Sequence, residues 1–174
     1  MIKGSSFELR LITEDDLPVF AQQMRTIDNR GDYYPHMIYP PMEIRRQFEK
    51  NGYWDEETGI LLIVNEAGTI IGQIEFFRAV PYWAAYEISY LLYEQAERGK
   101  GIVSEAVNLL VRYLFENKTV NRLQLAIHPE NAASLRVAEK CGFTHEGTAR
   151  GAFFNKGQYH DMEIFSLLRN EVMG

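Results

Sequence analysis

The sequence predicts an α+β fold: a mostly antiparallel sheet with helices packed on it. Three observations predict it. Short segments of alternating apolar and polar residues recur between Phe7 and Leu168, at the period of half-buried strands. Other segments, above all 102–116, carry the 3.6-residue apolar period of helices. In the second half the two kinds alternate as strand, helix, strand, helix.

Phe7 to Ile12 is the first strand, with Phe7, Leu9 and Leu11 set against polar partners. Thr13 and Asp16 have the spacing of a capping box. Leu17, Phe20, Met24 and Ile27 then make a helical stripe to about Arg30, with Pro18 tolerable only in the first turn. Gly31 to Pro41, with three tyrosines and three prolines, is a loop. Pro41 to Asn51 is a second helix, stopped by Gly52. Gly59 to Glu66 and Thr69 to Arg78 are strands around a tight turn at Ala67-Gly68. Ala84 to Tyr93 is a strand with Tyr86, Ile88, Tyr90 and Leu92 on one face and Glu87, Ser89 and Leu91 on the other. Gln95 to Gly101 is a polar loop, and Ile102 to Glu116 a helix with Val103, Ala106, Val107, Leu110 and Leu114 as its apolar stripe. Arg122 to His128 is a strand, and Asn131 caps a helix that runs to Cys141 and stops at Gly142. Phe143 to Arg150 and Tyr159 to Leu168 close the sheet across Asn155-Lys156-Gly157.

The 174 residues, with no linker, charge block or repeat, read as a single domain over 1–174. Hydrophobic residues are 46% and charged residues 24%, the balance of a soluble globule. Cys141 is the one cysteine, so no intrachain disulfide and no multi-cysteine metal site is open to the chain, and its place before Gly142 marks it as packed core. His36, His128, His145 and His160 lack metal-ligand spacing, so no metal is expected. A net charge of −6 argues against nucleic acid as a partner. The longest apolar runs are about five residues, and Met1 to Ser6 holds no apolar signal core, so neither membrane nor secretion is expected and the cytoplasm is the expected location.

Two constellations carry chemistry. Gln95-Ala96-Glu97-Arg98-Gly99-Lys100-Gly101 stands between a strand and a helix. Glycines there let successive N–H groups turn outward, and the helix adds its unpaired donors and positive dipole end, which makes an anion cradle. A tight turn with solvated charges fits the same residues. The second is His128-Pro129-Glu130-Asn131-Ala132-Ala133-Ser134, in which Asn131 and Ser134 share one face of a first helical turn. A plain N-cap fits Asn131 equally well.

The loop Arg98-Gly99-Lys100-Gly101, the Asn131-x-x-Ser134 turn and Cys141-Gly142-Phe143-x-x-Glu146-Gly147, in that order, resemble the GNAT superfamily of acyl-CoA-dependent N-acetyltransferases. Within it the chain is similar to the ribosomal-protein N-terminal acetyltransferases of the Rim type, through Leu9-Arg10-Leu11, Gly147-Thr148-Ala149-Arg150 and Tyr159-His160-Asp161 as well. The resemblance covers nearly the whole chain. It implies a six- or seven-stranded mixed sheet with about four helices, splayed between the strands ending at Tyr93 and His128. Acetyl-CoA is implied as co-substrate. Its pantetheine would pair with the backbone of Leu91, Leu92 and Tyr93. Its pyrophosphate would take N–H groups from Arg98, Gly99, Lys100, Gly101, Ile102 and Val103. Asn131 would bond the pantetheine amide, and Ser134 would face the thiolate leaving group. Tyr33, Tyr34, Phe153 and Phe154 would flank the acceptor entrance. A homodimer is compatible with the family.

The chain departs from the family pattern at three places: Ala96 where Arg or Gln is usual in the loop, Ala138 where many members carry a tyrosine acid, and Phe153 where some Rim-type members are acidic. Ser134 is then the remaining acid, and Glu87, on the strand feeding the gap, the candidate base through a water. The reaction implied is direct transfer to a primary amine. An α-amine with a pKa near 7.8 costs only about 1 kcal/mol to deprotonate at pH 7, a lysine near 10.4 about 4.6 kcal/mol. A site without a strong base suits the α-amine, as on a ribosomal-protein N-terminus. A polyamine or drug amine is the alternative acceptor, and a non-catalytic acyl-CoA-binding module the alternative class.

Overall fold

The alternating segments form β1 (Ile2–Lys3), β2 (Phe7–Arg10), β3 (Thr58–Asn65), β4 (Ile70–Phe77), β5 (Ala85–Leu92), β6 (Arg122–Ile127), β7 (Thr144–Asn155) and β8 (Gln158–Leu168) in a computed structural model that describes residues 1–26 and 31–174. The helical segments form α1 (Leu17–Arg25), α2 (Pro41–Asn51), α3 (Ile102–Asn117), α4 (Ala132–Lys140) and α5 (Arg169–Met173). Strand order is β1-β2-β3-β4-β5-β6-β8-β7. The β1–β2, β2–β3, β6–β8 and β7–β8 ladders are antiparallel, and β5–β6 is parallel. The α+β class with a mixed sheet stands.

The strand count is eight rather than six or seven, and the described residues hold five helices rather than about four. Both differences come from elements too short to carry a period: two-residue β1 and five-residue α5. Strand β7 runs on to Asn155 where alternation ends at Arg150. Gly147 and Gly151 take φ of 144° and 59°, the register shifts between Ala149 and Phe153, and pairing resumes at Phe153↔His160. Ile27 and the expected helix end at Arg30 lie outside the described residues.

Contacts divide the chain into two compact units, Met1–Glu75 with Tyr90–Ile102, and Phe76–Ser89 with Val103–Gly174. In the first, Ile12, Leu17, Phe20, Ile44, Ile60, Leu62 and Val64 form the core, flanked by Met24, Phe48 and Tyr53. Pro18 does sit in the first turn of α1, and Gly52 ends α2 at φ 61°. In the second, the apolar stripe of α3 (Ala106, Val107, Leu110, Leu114) is buried, as are Leu123, Leu125 and Ile127 of β6 and Phe165 and Leu167 of β8.

The Thr13–Asp16 spacing works through the carboxylate. Asp16 accepts from Thr13 N at 2.8 Å and Thr13 Oγ1 at 2.6 Å, and takes a two-pronged contact from Arg10 at 2.6 and 2.8 Å. The Arg10 hydrogen bond, helped by Thr13, holds the Asp16 carboxyl well below its ordinary range. A depressed carboxylate stabilises the fold above its unfolded pKa, near 3.9, and that contribution is lost as pH falls through the folded value. Asp16→Asn should therefore lower stability at pH 7 by about 2 kcal/mol, and the deficit against wild type should shrink below pH 4. Urea titrations at pH 7 and pH 3 measure both; an equal deficit at the two pH values would remove the charge from the account.

Candidate functional site

In the first unit the end of β5 lies beside β4. Tyr93 N donates to Ile71 O at 2.9 Å, and the buried Tyr93 hydroxyl donates to Gln73 Oε1 at 2.6 Å. A Cβ built on Gly72 would stand 2.5 Å from Leu91 O, so only glycine lets the two backbones approach this closely. The backbone groups of Leu91 and Tyr93 are thus turned toward β4. Alternation points the Leu92 amide to the opposite edge of the strand, which makes Leu92 the residue of the three that offers its backbone there.

Beyond it, Gln95–Glu97 is a single 3₁₀ turn, and α3 starts at Ile102. Between them Gly99 and Gly101 take φ of 77° and 84°, and a Cβ built on either meets nothing within 4 Å. The backbone here is in the left-handed region for want of any side chain, and the space above it is open. That fits an anion cradle of outward amides at a helix N-terminus. Arg98 is exposed, whereas Lys100 Nζ pairs with Glu97 at 3.0 Å. Also in this unit, Tyr34 Oη donates to Glu75 Oε1 at 2.8 Å, and Tyr33 is half-buried.

In the second unit Asn131 is the N-cap of α4, its Oδ1 accepting from Ser134 N at 3.1 Å. Ser134 is half-buried, one turn before Ala138, which is fully buried. Val103 is half-buried in the first turn of α3. Glu87 is half-buried and its Oε2 accepts from Gln124 Nε2 at 2.8 Å, at the last of the three β5–β6 pairs, Glu87↔Gln124. Phe153 and Phe154 alternate in β7. The Phe153 and His160 ring centroids are 6.5 Å apart, and the exposed Phe154 packs at a tilt against Tyr159, with centroids 5.0 Å apart. Burial pushes the Cys141 thiol up to about 11, and its Sγ contacts Ser104 O, which suits packing and not nucleophilic attack.

Sequence reading missed Gln124 beside Glu87, Glu75 beside Tyr34, and His160 beside His128 at 3.2 Å. These partners are 37, 41 and 32 residues apart, separations that no local pattern spans, and only the tertiary fold brings them together. Among the described residues no group of three or more His, Cys, Asp or Glu is placed to hold a metal, and no helix is long and apolar enough to cross a membrane.

Residues 6–144 match the family described as "Acetyltransferase (GNAT) domain". The chain is similar to Bacillus subtilis YdaF, provisionally named a ribosomal N-acetyltransferase, at 33% identity over 83% of this chain and 74% of that one. It is similar to the ribosomal-protein-serine acetyltransferase of Escherichia coli at 27% identity over 94% and 93%. The crystal structure of spermidine N-acetyltransferase from Vibrio cholerae, in complex with CoA and spermine, superimposes with a TM-score of 0.84 at 20% identity, covering 98% of this chain and 100% of that one.

Proposed function

The chain belongs to the GNAT acetyltransferases, and from that premise we propose that residues 1–174 act as one cytoplasmic N-acetyltransferase domain whose acceptor is the N-terminal α-amine of a protein, a ribosomal protein among them. The observation that carries the co-substrate is the open left-handed backbone at Gly99 and Gly101 leading into α3. Acetyl-CoA supplies an activated acyl thioester, which a neutral amine converts to an amide with release of the thiol. Amides from Arg98 to Val103 hold its phosphates, and the outward edge at Leu92 pairs with its pantetheine and turns an N–H toward developing negative charge. Asn131 orders the first turn of α4, and Ser134 donates a proton to the departing sulfur. Glu87 accepts the ammonium proton through a water.

An α-amine asks little of that base, since its proton costs only about 1 kcal/mol to remove at neutral pH. The names of two relatives support a ribosomal-protein acceptor, and the spermidine enzyme supports a polyamine as the second reading. Free-thiol release with acetyl-CoA and a panel of N-terminal peptides, lysine-only peptides, spermidine and aminoglycosides separates them. Peptides whose only amine is the N-terminus should have the highest kcat/KM. Faster turnover of spermidine or of blocked peptides with a lysine overturns the α-amine reading, and no thiol release with any amine overturns catalysis.

On the preferred peptide, Ser134→Ala should keep the acetyl-CoA affinity and lower kcat by about tenfold or more. Glu87→Gln should lower the neutral-pH rate by about tenfold to a hundredfold, with partial recovery as pH rises and solvent takes the proton. Wild-type turnover in Ser134→Ala, or matching pH–rate profiles for Glu87→Gln and wild type, would clear that residue of its role.

A further inference from the structure

His128, directly after β6, and His160, in β8, meet in the second unit with ring centroids 4.9 Å apart. His128 is buried, and its Nδ1 accepts the backbone N–H of Glu130 at 3.2 Å. That nitrogen must therefore carry a lone pair, so the proton of a neutral ring sits on Nε2. Nε2 faces Nδ1 of His160 at 3.2 Å, which must then accept. The His160 proton is left on its own Nε2, facing the Asn155 carbonyl at 3.4 Å. One proton arrangement, with both rings neutral, satisfies all three contacts. A proton added to His128 Nδ1 sets N–H against the Glu130 N–H. A proton added to His160 Nδ1 either opposes the His128 N–H or forces His128 into the tautomer that abandons Glu130.

The Glu130 amide lies inside the turn that presents Asn131. Asn131 N donates to His128 O at 2.9 Å, Ala132 N donates to Glu130 O at 2.9 Å, and Asn131 Oδ1 holds Ser134 N. We propose that His128 and His160, as a neutral pair, are positioning residues that hold the Asn131–Ser134 turn in its acyl-CoA-binding form, and that a proton on either ring loosens it. This rests on the reading of Asn131 as an acyl-CoA contact.

On β8, Asp161 and Glu163 fall on the strand face opposite His160; Asp161 accepts from Gly151 N, and Glu163 is held by His145 and Thr148. On β7 the residue in register with His160 is Phe153. Glu130 in the turn and Lys156 at the hairpin tip are exposed.

The test compares wild type, His128→Asn and His128→Leu. The Asn oxygen stands where Nδ1 does and accepts the Glu130 N–H without taking a proton; Leu cannot accept it. Calorimetric Kd for acetyl-CoA is measured from pH 8 to 5.5. Phosphate titration of the ligand is common to all three proteins and cancels in their ratio. Wild type should lose about tenfold in affinity relative to His128→Asn between pH 8 and 5.5, and match it at pH 8. His128→Leu should be weaker than both at pH 8, by about threefold to tenfold. In ligand-free wild type, the ring nitrogens of both histidines should show the Nε2–H tautomer, and the ¹H–¹⁵N shifts of Glu130, Asn131 and Ser134 should change together with the ring nitrogen shifts as pH falls. Backbone shifts that ignore the ring titration overturn the pair as the holder of the turn. Shifts that follow it while wild type and His128→Asn keep a constant Kd ratio overturn Asn131 as a cofactor contact, and the proposal with it.

Discussion

Gly101→Val should bind acetyl-CoA about a hundredfold more weakly than wild type while melting within a few degrees of it. One of two costs must be met at this position. At φ 84° the backbone is in a region that a β-branched residue almost never adopts, so the loop must leave its conformation. The strain of forcing a side chain there is about 1–3 kcal/mol. The new conformation also turns amides away from the phosphates, and each charge-assisted hydrogen bond broken in this way costs about 1.5–3 kcal/mol. Either cost is comparable with the roughly 2.7 kcal/mol that a hundredfold change in Kd requires. Stability is spared because a Cβ there meets no neighbour within 4 Å and the glycine is exposed, so no core packing is disturbed. Gly99→Val, at φ 77°, should behave alike, and Arg98→Ala should lose only about tenfold, as an exposed charge does. Isothermal titration checks all three. An unchanged Kd for Gly101→Val removes the loop from the site.

The loop was legible because its chemistry is local: two glycines separated by a single residue before an apolar helical stripe. So was α2, found at Pro41–Asn51 as expected, because proline at its start and glycine after its end mark both boundaries. The Asn131 cap was legible for the same reason, since its Ser134 partner is three residues away. What the sequence hid is what register decides. Nothing in Tyr86-Glu87-Ile88 announces that Gln124 will stand opposite, and the two histidines of the pair read as isolated groups until β8 lies beside β6. The end of β7 was hidden differently. Gly147 and Gly151 break the alternation that identifies a strand, yet hydrogen bonding to β8 resumes beyond them. At the end of β5 the close approach of Gly72 to the Leu91 carbonyl shows which edge each amide takes, a distinction that alternation of side chains does not carry.

Arg169→Ala should cost about 3 kcal/mol of stability and lower Tm by roughly 6–12 °C, leaving the acetyl-CoA affinity at 25 °C unchanged. Helix α3 ends at Asn117 with carbonyls that have no partner further along the helix. Arg169 supplies one. Its guanidinium donates to Phe115 O, to Lys118 O at 2.6 Å and through Nε to Val120 O at 3.0 Å, while its backbone N–H donates to Asn121 O at 2.9 Å. The same group lies 5.7 Å over the Phe115 ring. A cation at this end also opposes the helix dipole. Three charge-assisted hydrogen bonds at about 1.5–3 kcal/mol each would sum to more than the expected loss, but they are not additive. Arg169 also lines an open cavity of about 470 Å³, so water can reach the carbonyls once the side chain is gone. Arg169→Lys should fall between, because an ammonium keeps the charge but cannot span three acceptors as the planar fork does. Calorimetric unfolding of the three proteins decides it. If Arg169→Ala melts within about 2 °C of wild type, the carbonyls are served as well by water, and the end of α3 is held by its buried stripe alone.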